Sequence, residues 1–424
     1  MTGVEPAPPT ASVPLPWDGP VADPVAALAG ARAEHGDTFT DASGRYLFLF
    51  SPEGVRSFYG LPEERASKGV ADFTMLRRKV PDELFAGRRT LPHELFGRDD
   101  VASYLANLDW ALDVAAVELG PRGELDVFAH ARRLGHRLGL ASWAGRRSAD
   151  GERFDRLVVA LDALDAADAF VHPDLMGAVA RDDKAAEQAA LADATVALGE
   201  TLDEHDRAGL GHDGLFGRLV ARWDGESRDA RRVGVARDVV LLHLASMSNL
   251  FAGLGWTIVE LLARPDLVER VRAGDRPLAE ACALESIRVH QRSIMLRRVL
   301  EPVVVDDGNH RLAVEPGVTI ATLLPLTNLT AAPGLDRWDE SRWAGRRLRG
   351  AADLPAPELV TAFGHGKHTC PAQPFSLAAI TRAVTHLLDR FDLVATYDDP
   401  RPVPAQIGGV ARSADPCPVR YTAR

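Results

Sequence analysis

The chain has 424 residues, of which 46% are hydrophobic and 26% charged, as is typical of a soluble globular protein with a large core. Its net charge of −11 gives no argument for nucleic-acid binding, and its three scattered cysteines argue against a disulfide framework and for a reducing compartment. It has no apolar run of membrane-spanning length and no signal-peptide pattern, so we expect a cytoplasmic protein without a membrane anchor.

The N-terminal part is predicted to contain one hairpin and little other regular structure. Residues 1–24 are rich in proline, which predicts an irregular arm, and residues 25–424 are expected to form one domain. Thr38–Thr40 and Tyr46–Phe50 flank a turn-forming stretch and predict two antiparallel strands, and Ser51-Pro52 predicts a short helix. The stretch 68–98 has weak periodicity and many charges, so no regular element is predicted there.

The rest of the chain is predicted to be mostly helical. Alanine- and leucine-rich faces predict helices over residues 100–206, with interruptions near Gly120, Gly145 and His172. The longest apolar-periodic segment runs from about Arg231 to Arg264 and ends before a proline. Further helices are predicted at 266–272, 277–291 and 376–391, with short strands at 303–305 and 319–323. Helices with short strands and no regular βαβ alternation predict a mainly α fold with small β-sheets, an α+β architecture.

Cys370 stands in the sequence Phe-Gly-His-Gly-Lys-His-Thr-Cys-Pro, between a glycine-rich turn and a predicted helix. Gly364 and Gly366 allow a tight bend and a close approach to a flat ligand, and amides around such a turn can hydrogen-bond a thiolate. A buried structural cysteine would not require these glycines or His368. A thiol nucleophile lacks a convincing base nearby, and a zinc site lacks ligands, since no CxxC or HExxH occurs. The remaining interpretation is an axial thiolate ligand of haem iron.

This segment resembles the haem-binding loop of the cytochrome P450 superfamily, F-G-x-G-x-(H/R)-x-C-x-G. It matches at every position except the last, where the family's glycine is Ala372. The resemblance implies the cytochrome P450 fold and haem b, with Cys370 as the iron ligand. It also implies that Phe363, Gly364, Gly366 and His368 contact the cofactor.

Two further segments resemble family features. Glu285 and Arg288 lie three positions apart, so both project from one helical face, as in the family's Glu-Arg pair. Arg342 is expected to complete this pair, in a structural role. Arg298 is expected to pair a haem propionate together with His368, although an ordinary surface arginine is the alternative. The family's second propionate motif, Trp/His-x-x-x-Arg, has no clean copy, because His93 and Arg98 are five positions apart.

The long helix departs from the family at its oxygen-activation segment, which falls on Ala245–Asn249. Ala245 is expected to face the haem, but Ser248 and Asn249 replace the usual acid and threonine that relay protons to dioxygen. Asn249 could anchor a proton-delivering water, bind a substrate oxygen, or only pack. An asparagine at this position resembles the group that contains cholesterol 7α-hydroxylase and prostacyclin synthase.

The resemblance implies a monooxygenase that oxidises a small organic molecule with electrons from ferredoxin and ferredoxin reductase. Arg346, Arg347, Lys367 and Arg382 are expected on the surface that receives the ferredoxin, and the protein is expected to be a monomer. Only four of the 49 basic residues are lysines, which suggests a GC-rich bacterial genome and fits secondary metabolism such as antibiotic biosynthesis. The alternatives are a haem-thiolate isomerase, dehydratase or peroxide-driven catalyst, and a non-catalytic recruitment module.

Overall fold

A computed structural model describes residues 7–13, 15, 19, 21–86, 100–165, 179–211 and 214–424. The helices are α1 (Pro24–His35), α2 (Pro52–Gly60), α3 (Lys68–Lys79), α4 (Asp100–Leu119), α5 (Val127–Trp143), α6 (Gly151–Asp165), α7 (Ala185–Arg207), α8 (Gly214–Ala221), α9 (Arg228–Leu262), α10 (Pro265–Arg272), α11 (Arg276–Val289), α12 (Leu324–Asn328) and α13 (Gln373–Arg390).

The strands form small sheets beside the helices. They are β1 (Thr10–Ala11), β2 (Thr38–Asp41), β3 (Tyr46–Leu49), β4 (Ala66–Ser67), β5 (Arg122–Asp126), β6 (Ile294–Val299), β7 (Val303–Asp306), β8 (Arg311–Val314), β9 (Thr319–Leu323), β10 (Trp343–Ala344), β11 (Arg347–Leu348), β12 (Phe391–Ala395) and β13 (Pro418–Ala423). The largest sheet has the order β1-β2-β3-β9-β6-β4, and smaller sheets join β12-β13-β5, β7-β8 and β10-β11. The predicted mainly α architecture with small β-sheets is confirmed.

The helix α9 is the central element on which the candidate site is built. It begins after Ser227, whose hydroxyl accepts a hydrogen bond from the N–H of Ala230 at 3.3 Å, and α5, α7, α11 and α13 pack against it. Its length and apolar composition would allow a membrane span, but 67% of its most apolar window is buried inside the protein. Burial among neighbouring helices accounts for its apolar sequence without a membrane.

Two predictions for the first third of the chain have different outcomes. The hairpin is confirmed, because β2 and β3 pair antiparallel with Thr38 opposite Leu49. The prediction of an irregular segment from residue 68 is wrong for its first part, which forms α3, capped by the hydroxyl of Ser67. Charged side chains hid this helix, since only Ala71 and Lys79 of α3 are buried. The later part, 87–98, and His172 lie outside the described residues.

A buried carboxylate on α11 joins that helix to the segment that follows α12. The guanidinium of Arg288 donates two hydrogen bonds to Glu285, at 2.8 and 2.7 Å, and both side chains are fully buried. Arg342 donates at 3.3 Å and the indole of Trp343 at 3.0 Å, so the structure brings the three predicted residues together and adds Trp343. Arg288 also donates to the carbonyls of Asn328 and Leu335, at 2.7 and 2.9 Å.

We expect Glu285→Ala to lower the free energy of unfolding by about 3–5 kcal/mol, because it leaves the Arg288 guanidinium buried without its counter-charge. Glu280→Ala is the matched control on the same helix, since Glu280 pairs with the exposed Arg346 and its loss should cost about 1 kcal/mol or less. Urea unfolding of both variants measures the difference. Similar losses for the two variants would contradict the assignment of Glu285 as a buried structural centre.

Candidate functional site

Two cavities meet beside the middle of α9. The first, which we call the cysteine cavity, has a volume of about 410 Å³ and reaches Cys370 and the loop before α13. The second, the α3 cavity, has a volume of about 370 Å³ and is lined by parts of α3, α9, β6 and the segment 406–412. Ala245, Asn249 and Val410 line both cavities, so the two volumes adjoin at these residues.

A tight turn presents Cys370 to the cysteine cavity. The N–H of Cys370 donates to the carbonyl of Phe363 at 2.7 Å, which closes the loop. Gly364 has a φ of +81°, and a Cβ there would lie 2.6 Å from the carbonyl oxygen of His368, so a larger residue does not fit. Phe363 and Gly364 line the cavity, whereas Gly366, with a φ of +55°, contributes to the turn.

The environment of the Cys370 thiol acts on its pKa in two directions. Burial raises the pKa of the Cys370 thiol, while the N–H groups of Ala372 and Gln373 and the charge of Lys68 act in the opposite direction. Donors of this kind stabilise a thiolate that is bound to a metal. Among the described residues, no group of three or more His, Cys, Asp or Glu side chains could hold a metal ion. A metal at Cys370 would therefore need other ligands from a cofactor.

Hydrogen bonds connect this loop to the buried ion pair of α11. The side chain of Asn328 donates to the carbonyls of Arg288 and Thr361, at 3.2 and 2.9 Å, and accepts from the N–H of Thr361 at 2.7 Å. The Thr361 hydroxyl donates to the carbonyl of Gly364 at 3.0 Å and accepts from the N–H of Phe363 at 3.1 Å. Sequence analysis missed Asn328, at the end of α12, and Thr361, because a single polar residue outside a motif gives no sign of being buried.

Basic side chains surround one part of the cysteine cavity. Lys68, Lys367 and His368 line it, and the described lining residues include no Asp or Glu. Arg297, which is fully buried, places a guanidinium nitrogen 2.6 Å from Nε2 of His368 and donates to the carbonyls of Ala66 and Leu61 at 2.8 and 2.7 Å. Burial, followed by the charge of Arg297, lowers the pKa of His368. The imidazole therefore accepts at Nε2 and carries its proton on Nδ1.

The structure does not bring Arg298 to this cavity, which corrects the sequence-based assignment. Side chains alternate along β6, so Met295 and Arg297 share one face, and Met295 lines the cysteine cavity. Arg298 lies on the other face, where its guanidinium donates to the hydroxyl of Thr319 at 3.3 Å. Sequence analysis could not distinguish the two faces, because β6 was not predicted as a strand. His93 and Arg98 lie outside the described residues.

Asn249 has a fixed orientation at the junction of the two cavities. Its Oδ1 accepts from the backbone N–H of Val410 at 2.9 Å, and a Cβ at Gly409 would lie 2.3 Å from that oxygen. In an amide side chain the oxygen is the acceptor and the NH2 group only donates, so the amide oxygen faces Val410. The Nδ2 group is therefore the part of Asn249 that can interact with a ligand, and it is a hydrogen-bond donor.

Ser248 does not line the cysteine cavity but takes part in a charged cluster on the α3 cavity. Its hydroxyl donates to Asp165 at the end of α6, and Lys79 and Arg412 approach the same carboxylate at 3.1 and 3.2 Å. Burial acts to raise the pKa of Asp165, but Lys79 and Arg132 outweigh it and the pKa is lowered. Asp165 is therefore an ionised acceptor next to Ser248, which the sequence could not reveal because the two residues are 83 positions apart.

Comparisons with known proteins agree with this geometry, although no protein-family profile matches the chain. Cytochrome P450 monooxygenase prx8 of Penicillium rubens is 33% identical over 200 residues, which cover 40% of this chain and 35% of the relative. Cytochrome P450 monooxygenase gliF of Aspergillus fumigatus is 27% identical over a region that covers 45% of this chain and 44% of the relative. The 24-hydroxycholesterol 7-alpha-hydroxylase of Homo sapiens is 23% identical over a region that covers 44% of this chain and 43% of the relative. The matched region thus spans less than half the length of these relatives.

The fold comparison covers the whole molecule. The crystal structure of the cytochrome P450DA haem domain superposes with a TM-score of 0.73 at 18% identity and covers 100% of this chain and 98% of that one. A triple mutant of the same haem domain gives the same TM-score over 99% of this chain and 98% of its own. At this identity the match establishes the fold, and the sequence relatives carry the same family name. The chain has the cytochrome P450 fold, and in part of its sequence it is similar to cytochrome P450 monooxygenases.

Proposed function

We propose that this protein is a haem-thiolate monooxygenase that oxidises a small organic molecule. The observation that carries the proposal is the presentation of Cys370, by a glycine-dependent turn, to a cavity edged by basic side chains. A single thiolate ligand facing a cavity suits a cofactor that brings the remaining ligands of its own iron.

The residues of the cysteine cavity fit haem b. Cys370 would ligate the iron, and apolar side chains such as Leu250, Ile287 and Ile380 would contact the flat macrocycle. The two propionates need cations, and Lys68 and His368 line this cavity, with the guanidinium of Arg297 2.6 Å behind Nε2 of His368. Ala245 and Phe363 line the same volume, as the family resemblance implies for residues that contact the cofactor.

When bound, a thiolate-ligated haem supplies oxidative chemistry towards unreactive C–H bonds. The protein's own contribution at the reacting position is Asn249. Its Nδ2 group would hold an oxygen atom of the substrate or of an ordered water where the two cavities meet, because its Oδ1 is engaged by Val410. Proton delivery would then pass through a water held by Asn249 rather than through an acid side chain.

The second candidate function is a redox-neutral or peroxide-driven haem-thiolate reaction. The observation that favours it is the engagement of the Ser248 hydroxyl by Asp165, which leaves a donor amide at the junction and no carboxylic acid among the described lining residues of the cysteine cavity. Two turnover assays distinguish the candidates. Turnover that requires NADPH, ferredoxin reductase and ferredoxin supports the monooxygenase. Consumption of cumene hydroperoxide without any reductant supports the second candidate, and inertness in both assays supports the non-catalytic module.

The remaining parts of the proposal concern partners and context. We propose that a ferredoxin and its reductase supply electrons and that the protein is a cytoplasmic monomer of bacterial secondary metabolism. Arg346 and Arg382 are paired with Glu280 and Asp109, at 2.7 and 2.8 Å. Docking of an acidic partner would therefore rest more on Arg347 and Lys367 than on these two paired arginines.

We expect the reduced, CO-treated protein to show the red-shifted Soret band from which the family takes its name, because that band reports a thiolate bound to the haem iron. In Cys370→His the band should move to the position given by imidazole ligation. Cys282→Ser is the matched control, since Cys282 is buried in the hydrophobic core away from the cavity lining. A wild-type spectrum of the imidazole type would contradict the assignment of Cys370.

A comparison of neighbouring arginines tests the propionate assignment. We expect Arg297→Met to accelerate haem transfer to apomyoglobin by about tenfold or more, because a cation beside the propionates is lost. Arg298→Met should stay within about twofold of the wild type, since Arg298 lies on the other face of β6. Urea unfolding of the two haem-free variants checks that neither change acts by unfolding. Faster loss from Arg298→Met than from Arg297→Met would restore the original assignment.

A further inference from the structure

Segment 406–412 contacts α9 at the junction of the two cavities. Val410 and Asn249 line both cavities, and the N–H of Val410 donates to Oδ1 of Asn249 at 2.9 Å. Asn249 is exposed although it lies in the middle of α9, because its side chain borders these cavities. Among the residues that the structure describes, none accepts a hydrogen bond from its Nδ2 group. This donor is therefore available to a ligand.

The bond to Val410 decides which end of the Asn249 amide faces the cavities. The last torsion of an asparagine side chain has a broad and roughly two-fold energy profile, so a rotation of about 180° exchanges the oxygen and the NH2 group at little internal cost. An acceptor would then replace a donor at the same position. The place of one backbone N–H in segment 406–412 therefore sets the hydrogen-bonding character of the site.

Gln406 holds the backbone that carries this N–H. Its side chain is buried, and its Nε2 group donates to the carbonyls of Gly408 and Val410 at 2.8 and 3.0 Å. Its Oε1 accepts from the backbone N–H of Arg412 at 2.9 Å. All three bonds stay within the segment, so this side chain ties the segment to itself rather than to a neighbouring element. One buried amide thus fixes the path of the backbone against α9.

Gly409 allows the segment to approach Asn249 closely. Its φ is +63°, a left-handed conformation that glycine adopts without strain, and a Cβ there would lie 2.3 Å from Oδ1 of Asn249. The backbone of Arg292 holds the same turn from the other side. The N–H of Arg292 donates to the carbonyl of Gly409, and its carbonyl accepts from the N–H of Gly408, both at 2.8 Å. No side chain would fit between this turn and Asn249.

We propose that Gln406 and Gly409 are positioning residues for the reaction at Asn249. They keep the Val410 N–H against Oδ1 of Asn249, so that the NH2 group and not the oxygen is presented to the ligand. This inference rests on the proposed function, since it takes Asn249 as the group at the reacting position. An ordinary loop contact would be indifferent to the orientation of the amide. A positioning role predicts instead that a change at either residue acts like the loss of the Asn249 donor.

Infrared spectroscopy of the reduced, CO-bound holoenzyme tests this proposal. A hydrogen-bond donor beside bound CO draws electron density onto its oxygen and lowers the C–O stretching frequency, so Asn249→Leu should raise that frequency. We expect Gln406→Met and Gly409→Ala each to raise it by about half or more of the shift in Asn249→Leu. In an Asn249→Leu background, Gln406→Met should add about a tenth of that shift or less, because both changes act through the same group.

Gly209→Ala is the matched control for Gly409→Ala. Gly209 has a φ of +61°, no atom lies within 4 Å of a Cβ added there, and it is outside both cavity linings. The substitution therefore carries the same backbone strain without a contact at Asn249, and the frequency should stay at the wild-type value. Gln406→Glu is nearly isosteric and loses both donated bonds, so it replaces Gln406→Met if that variant binds no haem.

Three results would overturn the proposal and leave segment 406–412 as ordinary packing. They are an unchanged frequency in Asn249→Leu, an unchanged frequency in the Gln406 or Gly409 variants, and a full additional shift in the double variant. The Soret band of the same samples separates this inference from the proposed function. A thiolate-type band without the frequency shifts would refute only this inference. An imidazole-type band in the wild type, with the shifts and their coupling intact, would refute the proposed function instead.

Discussion

The buried ion pair between Glu285 and Arg288 is the interaction on which the position of Cys370 depends. Both side chains are fully buried, so neither charge could be tolerated without the other. Arg288 also binds the carbonyl of Asn328, and Asn328 binds Thr361, which holds Phe363 and Gly364. The cysteine loop, which contains only one 3-10 turn at Gly366–His368, is in this way fixed to the helix α11. These hydrogen bonds offset the cost of burying the two charges. They run from Arg288 through Asn328 and Thr361 to the loop that carries Cys370.

The two cavities divide the chemistry of the site between them. The cysteine cavity combines a thiol, apolar walls and basic side chains, which suits a flat anionic cofactor. The α3 cavity combines apolar walls with one charged cluster, which suits an amphipathic ligand. Asn249 belongs to both, and its bond to Val410 leaves it a donor. The pKa of Asp165 on the α3 cavity is lowered by Lys79 and Arg132, so this carboxylate is an ionised acceptor.

The sequence predicted the features that are encoded locally. The cysteine loop is one contiguous stretch, and Glu285 and Arg288 are three residues apart on a helix, so both could be recognised from the order of residues alone. The fold class followed from helical periodicity and from the lack of βαβ alternation, and it is confirmed. The structure places Arg342 3.3 Å from Glu285, and the closer bond from Trp343, at 3.0 Å, was not foreseen.

Features that depend on strand orientation or on distant residues could not be predicted. Arg297 and Arg298 occupy opposite faces of β6, so the face decides which of them is near His368. An error of one residue in the strand register exchanges the two faces. Lys68 lines the cysteine cavity from α3, a helix that its charges concealed. Lys79 and Asp165 are 86 residues apart in the chain, and only the packed structure brings them to the same cavity wall.

The proposed function depends most on a bond between Cys370 and iron. Iron K-edge X-ray absorption of the purified ferric protein measures the nearest neighbours of the metal directly, and it can be compared between the wild type and Cys370→Ser. We predict one sulfur atom bound to iron in the wild type and none in the variant. A wild-type spectrum without a sulfur neighbour, or a sulfur neighbour that persists in Cys370→Ser, would contradict the account.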